Sequence, residues 1–285
     1  MTVLKEKSIR FLNKLTIQTE SVRTYTLTDG TKVVQPFSKT PIIFAILLTL
    51  SIISWNITNV NLGYLFTRAS NFFDILARMT SPRWSYYSNV IGPMLDTIQM
   101  SFLGSIVGAL LALPVAFMSA SNINKNKYTL GIARFLLSLV RTLPVLVYAA
   151  ILTLVFGFGV FAGTIAIGLF TFGILSKMMY ENIETVDLSA YGAIEATGAS
   201  KPKAFVTAII PQIMPAYLSY SLYSFEINIR YAAILGYVGA GGIGLLFDDR
   251  MAWRRYEDVA ILIIMLFIVV FTIENISRYL RKRLS

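Results

Sequence analysis

Three charged residues stand inside otherwise uncharged apolar stretches, Arg141, Glu226 and Arg230, and their types are the ones here that could do chemistry. A guanidinium presents a planar fork of donors that matches carboxylates and phosphorus oxyanions. Arg230 follows Glu226 by four positions, so on a continuous helix the two share a face and can pair, which makes them a structural unit. The functional alternative is that Arg141, Glu226 and Arg230 line a water-filled path, where Arg141 or Arg230 compensates the charge of a passing anion. Conventional catalysis has little to work with. The chain has no Cys and no His, which removes thiol nucleophiles, imidazole bases and Cys or His zinc sites. Glu181, Glu184 and Asp187 are the closest group of acids on one side, with neither residue type beside them. No catalytic residue and no metal ligand is assigned, and an integral membrane enzyme acting on lipid is the remote alternative.

A second pattern, Gly239-Ala240-Gly241-Gly242-Ile243-Gly244, satisfies G-x-G-x-x-G. A dinucleotide site needs that motif between a strand and a helix of a βαβ unit. Here it ends one membrane-length apolar stretch and precedes another, so Gly239, Gly241, Gly242 and Gly244 are expected to permit close backbone packing or to act as a gate. No phosphate-binding G-x-x-x-x-G-K-[ST] occurs, so nucleotide chemistry is expected in a partner and no cofactor in this chain.

The elements that hold these residues follow from the apolar runs. Of 285 residues 55% are apolar and 14% charged, against roughly 25% charged in soluble domains. Runs long enough to span a bilayer, about 17 to 25 residues, cover 41–57, 97–118, 135–156, 157–176, 204–247 and, shorter, 259–273. The predicted fold is all-α and membrane-integral, with about six transmembrane helices. Residues 1–40 form a polar segment in which Asp29-Gly30 turns a small hairpin over 24–34, with no signal peptide. The first span is 41–58, an aromatic, interfacial segment is 59–94, the main domain is 95–276, and 277–285 is a basic tail. The 17 Lys and Arg of the N-terminal segment, the loops near 125–134 and 177–203 and the tail lie on one side of this topology. That bias places both termini in the cytoplasm and assigns the net charge of +10 to membrane orientation rather than to nucleic-acid binding. Splitting 204–247 into two spans weakens the bias without reversing it.

Between the fourth and fifth spans, a loop at 181–203 carries Tyr191-Gly192-Ala193-Ile194-Glu195-Ala196-Thr197-Gly198-Ala199-Ser200-Lys201, and Pro211 stands thirteen residues past Gly198. It resembles the cytoplasmic signature of permease subunits of bacterial ABC importers, a short helix rich in Glu and Ala followed by Gly and, thirteen residues on, Pro. Asp187 or Ser189 caps the helix, small side chains leave a shallow docking face, and Gly198 with Ser200 ends it. The resemblance gives Gly192, Ala193, Glu195, Ala196, Gly198, Ala199, Ser200 and Lys201 to coupling with an ATPase. Gly192 stands where the signature has Glu, with Glu195 one turn later. The runs 96–100, 141–144, 211–215, 218–223, 225–230 and 238–244 are similar to permeases of phosphonate ABC transporters, from about residue 95 to the C terminus. This resemblance implies the type I importer core with a cytoplasmic coupling helix, a second copy of the chain, two ATPase subunits that bind ATP and Mg, an extracytoplasmic binding protein and a multi-pass location in the bacterial cell membrane. It also implies translocation of phosphonates or related phosphorus oxyanions by alternating access, with kinks at Pro114, Pro144, Pro211 and Pro215. A permease for methionine or betaine is the alternative within transport. The N-terminal hairpin region carries no family signal.

Overall fold

The computed structural model describes residues 24–26, 30, 32–34, 40–58 and 61–284. Two compact units divide the chain at Ala69 and Ser70. In the first, strands β1 (Thr24–Thr26) and β2 (Lys32–Val34) pair antiparallel in the register Thr24 to Val34. Gly30 in the intervening turn has φ +84°; Asp29 lies outside the described residues. Helix α1 (Thr40–Ile57) is apolar on every side and exposed throughout, the pattern of a helix solvated by lipid. A short α2 (Gly63–Thr67) follows.

Helix α3 (Ala69–Met79) opens the second unit. Ala69, Phe72, Phe73 and Leu76 share one face and Ser70, Asn71, Asp74 and Arg78 the other, so the expected amphipathic interfacial segment is helical here. The longer helices are α4 (Tyr87–Ser119), α5 (Lys127–Thr142), α6 (Val145–Phe156), α7 (Val160–Thr185), α10 (Ile210–Leu235) and α12 (Tyr256–Leu284); the short ones are α8 (Ser189–Ala196), α9 (Lys201–Ala204) and α11 (Ile243–Ala252). Among the described residues five helical segments are long and apolar enough to cross a membrane, and the bent α5–α6 pair makes six when counted as one span.

Several boundaries move. The run at 135–156 is not a straight span: α5 begins at Lys127, and the chain bends by 86° before α6. Leu143 is extended, as a residue before proline prefers, and Pro144 has no N–H to continue the ladder. Helix α7 runs nine residues beyond the predicted end at 176 and takes in Glu181 and Glu184. Helix α4 starts at Tyr87 rather than 97, and the tail assigned to 277–285 is helical through Leu284. Pro114 and Pro215 lie within continuous helices, while the turn ahead of Pro211 widens into a π-helix at Phe205–Ile209.

Small residues set the packing. A Cβ on Gly104 of α4 would lie 2.8 Å from the Thr164 carbonyl of α7, and one on Gly108 would lie 2.5 Å from the Gly168 carbonyl. Close approach of this kind brings dispersion contacts that lipid does not provide, which is the main attraction between helices in a membrane. A second backbone contact joins Gly236 and Gly244, where a Cβ on Gly236 would fall 2.1 Å from the Gly244 carbonyl carbon. Neither partner there is a movable side chain. Gly236→Ala is therefore expected to lower the thermal unfolding midpoint of the detergent-solubilised protein, at a cost of about 1–3 kcal/mol. Gly131→Ala, in α5 with nothing within 4 Å of the added carbon, is expected to leave the midpoint unchanged or raise it.

Candidate functional site

The bend between α5 and α6 is built from its own backbone bookkeeping. Pro144 offers no N–H to the Val140 carbonyl four residues back, and the Tyr148 hydroxyl donates to that carbonyl at 2.6 Å instead. Pro144 in turn accepts from the amides of Val147 and Tyr148 at 3.0 and 3.4 Å, which starts α6. The Val140 carbonyl, which Pro144 leaves without its helical donor, is thus satisfied by a side chain, as irregular backbone at membrane depth requires.

Arg141 sits in the last turn of α5 and is exposed. It lies fourteen residues past the start of α5 at Lys127, roughly 20 Å along the helix at about 1.5 Å per residue. Its stem lies on α7 at Gly173, where an added Cβ would come within 3.0 Å of Arg141 Cγ. Gly173 is midway along α7, so Arg141 is level with the middle of a spanning helix. No carboxylate pairs with it among the described residues. The carbonyl end of α5 favours a cation there.

Arg230 is placed differently. Its Nη2 lies 2.9 Å from Glu226 Oε1 and 3.4 Å from Glu274 Oε2. Glu226, with a side chain only 7% exposed, also accepts from Arg281 at 3.1 Å, and Arg278 reaches Glu274 at 2.6 Å. Glu226 and Arg230 therefore form a charge ladder joining α10 to α12, and Arg141 lies outside it. The partners on α12 were not foreseen, because spacing along one helix reveals i,i+4 pairs but not what a distant helix brings opposite them.

At one end of the bundle, α8 lies across the chain as a short amphipathic helix. Tyr191 is buried and Ile194 half-buried against the cluster containing Phe205, Ile209 and Met179. Gly192, Ala193, Glu195, Ala196, Gly198, Ser200 and Lys201 are exposed and Ala199 is partly so. Gly192 and Glu195, three apart, stand on the same outer face, which puts the acid one turn along from where the signature has it. Asp187 rather than Ser189 supplies the acceptor at the start: its carboxylate takes the Ser189 amide at 2.9 Å and the Ser189 hydroxyl at 2.8 Å. Those bonds hold the Asp187 carboxyl below its ordinary value, so the turn persists at neutral pH and opens only as pH falls through that depressed value. Gly198 has φ +86° and open space around its missing side chain, as a left-handed helix terminus requires.

The Gly-rich motif is a buried turn with no strand before it. Gly239, Gly241 and Gly242 have φ of +78°, +86° and +70°. Side chains there would strike Phe158, Val160 and Thr97 respectively, while Gly244 closes on Gly236. Thr97 Oγ1 accepts from the Ile243 amide at 2.8 Å, and the Gly159 amide donates to the Gly239 carbonyl at 2.9 Å. The backbone there packs too closely to admit side chains. A further polar junction was not predicted: buried Asn228 donates through Nδ2 to Ser105 Oγ and Thr171 Oγ1, both at 2.7 Å, tying α10 to α4 and α7. An amide within an apolar run is the sequence signal that marks it.

Residues 112–285 match the family model described as binding-protein-dependent transport system inner membrane component. The chain is 33% identical over 201 residues to the phosphite transport system permease protein PtxC of Stutzerimonas stutzeri, covering 70% of this chain and 73% of that one. It is 29% identical over 221 residues to the phosphate-import permease protein PhnE of Mycolicibacterium smegmatis, covering 77% of this chain but 42% of that protein. Among solved structures, an inward-facing form of the MetNI methionine ABC transporter matches with a TM-score of 0.62 at 16% identity, over 71% of this chain and 99% of that one. The apolar helices and these matches agree: the chain belongs to the inner membrane components of binding-protein-dependent transport systems, multi-pass permeases of ABC importers.

Proposed function

We propose that this permease carries phosphorus oxyanions, such as phosphite, phosphate or phosphonates, past Arg141, and that α8 couples the movement to ATP hydrolysis in a separate subunit. The carrying observation is the contrast between the two intramembrane arginines. Arg230 is neutralised by Glu226 and Glu274, whereas Arg141 stands exposed at a helix break, level with the middle of α7, with no carboxylate against it among the described residues. A guanidinium at membrane depth costs at least about 2.5–3.5 kcal/mol. A water-filled path that brings it an anion offsets that cost. Discontinuous helices near the midplane are where transporters place such sites. The names of the two relatives, a phosphite and a phosphate permease, support an anion of this class. A zwitterion such as methionine or betaine brings no net counter-charge.

In this reading two copies of the chain enclose the path, an extracytoplasmic binding protein delivers the solute, and two ATPase subunits holding ATP and Mg dock on α8 from the cytoplasm, where both termini also lie. The exposed, shallow face of Gly192, Ala193, Glu195 and Ala196 fits a groove on that partner, with Glu195 offering the carboxylate that Gly192 lacks. Gly198 ends the helix, and Ala199, Ser200 and Lys201 lead into α9. The rigid packing of Tyr191 and Ile194 on the π-turn lets a push on α8 reach α10.

Arg141→Met is expected to lower uptake of phosphite or phosphate into cells by roughly tenfold or more, the worth of one charge-assisted hydrogen bond of about 1.5–3 kcal/mol, with membrane abundance unchanged. Arg230→Met is expected to lower abundance instead, and adding Glu226→Gln to restore it; uptake lost at normal abundance in Arg230→Met, and kept in Arg141→Met, would refute the assignment. Tyr148→Phe leaves the Val140 carbonyl without its donor and is expected to reduce uptake per transporter while the protein still inserts. Gly198→Val forces a β-branched residue to positive φ and is expected to leave ATP hydrolysis running with uptake abolished, measured in proteoliposomes of the whole transporter.

A further inference from the structure

A cavity of about 520 Å³ opens between α4, α10 and the C-terminal end of α12, apart from the bend at Arg141. Phe102, Ile106 and Leu110 line it at four-residue spacing on α4, with Leu218 and Phe225 on α10 and Leu280 on α12. The run from Phe102 to Leu110 extends about 12 Å along the helix. Its volume is within the range of ligand pockets, about 300–1,000 Å³, and nearly all of its wall is hydrocarbon. Its one charged lining residue is Arg283, in the last turn of α12, beside the hydroxyls of Ser105, Tyr217 and Ser221.

We infer that this groove holds an acyl chain of an anionic phospholipid whose phosphate is bound by Arg283. Charge complementarity selects the occupant. Arg278 and Arg281 in the same two turns are engaged by Glu274 and Glu226. Arg283 has its guanidinium 4.8 Å above the Tyr279 ring and no carboxylate partner among the described residues, and neighbouring Lys282 is exposed and likewise without one. An apolar trough with a cation at its end matches an amphiphile carrying a tail and an anionic head. A neutral solute leaves the guanidinium unmatched, and a free anion leaves the trough empty. The bilayer supplies such an amphiphile beside basic helix ends. Occupied, the groove ties α12 to α4 and α10 next to the Glu226 ladder.

The test uses the full chain purified with its ATPase from membranes containing phosphatidylglycerol and phosphatidylcholine, with retained lipid counted by native mass spectrometry. The wild type is expected to retain phosphatidylglycerol over phosphatidylcholine. Arg283→Ala is expected to reduce phosphatidylglycerol retention about fivefold, the weight of one basic residue at an anionic surface. Ser221→Phe fills the groove and deletes only a bond within α10; it is expected to displace the lipid with all charges kept. Equal retention of both lipids by the wild type, or unchanged phosphatidylglycerol in either variant, overturns the proposal. If Ser221→Phe does not fold, the Arg283→Ala result decides. The chain has no Cys, so Leu110→Cys gives a unique thiol, and its ready disulfide cross-linking between two copies in the membrane would show that a second chain covers the groove and would also overturn it.

Discussion

Backbone-to-backbone contact between α4 and α7 is the constraint on which the rest of the second unit depends. Gly104 and Gly108 on one helix meet Thr164 and Gly168 on the other at distances that exclude a Cβ. In a bilayer no hydrophobic force draws helices together, because lipid tails are as apolar as leucine. What remains is the density of contact, and glycine raises it by removing the atoms that keep helices apart. With α4 and α7 fixed, Thr97 and Gly163 present the surface on which the buried turn at 239–244 seats, and Ser105 and Thr171 present the hydroxyls that receive Asn228. Helix α10 is thereby held from both ends of its upper half.

Polar groups then serve as points of registration, each with a different degree of commitment. Asp258 is almost wholly buried and bonded through both oxygens to Arg83, with Arg250 nearby, which locks the start of α12 to the turn before α4. Glu184 gathers Arg134 and both the amide and hydroxyl of Ser121, closing the loop between α4 and α5 onto α7. Glu226 and Glu274 gather three arginines between α10 and α12. Asp258 and Glu226 are buried carboxylates with two or more donors and are expensive to expose, so their clusters favour movement of whole helices over movement within them. Against that background an intramembrane arginine without a carboxylate stands out at the bend of α5 and α6.

The bend also joins local chemistry to transport. Proline removes one donor, a tyrosine hydroxyl four residues on replaces it at the Val140 carbonyl, and the helix turns by 86°. The result presents a helix end, with its partial negative charge and its arginine, at a depth where a continuous helix would present only side chains. At the other end of the same layer, α8 rests on Phe205 and the π-turn through two side chains and turns a nearly featureless face outward. A shallow face is useful for a partner that must grip and release.

The sequence by itself determined the helical class, the apolar runs and, through the resemblance, a short helix inside the 181–203 loop that ends at Gly198, because hydropathy, small-residue runs and a helix-ending glycine are local properties of the chain. It also reduced the charges within the membrane to Arg141, Glu226 and Arg230. It left their roles open, since an i,i+4 pair and two path-lining residues have the same spacing. The tertiary structure adds what spacing does not carry, Arg281 and Glu274 of α12 beside the pair and, among the described residues, no carboxylate paired with Arg141. It also supplied the packing partners of the Gly-rich turn and the 86° angle at the kink expected of Pro144. Those outcomes depend on which backbone another helix brings within 3 Å, and that is a property of packing that no single segment carries.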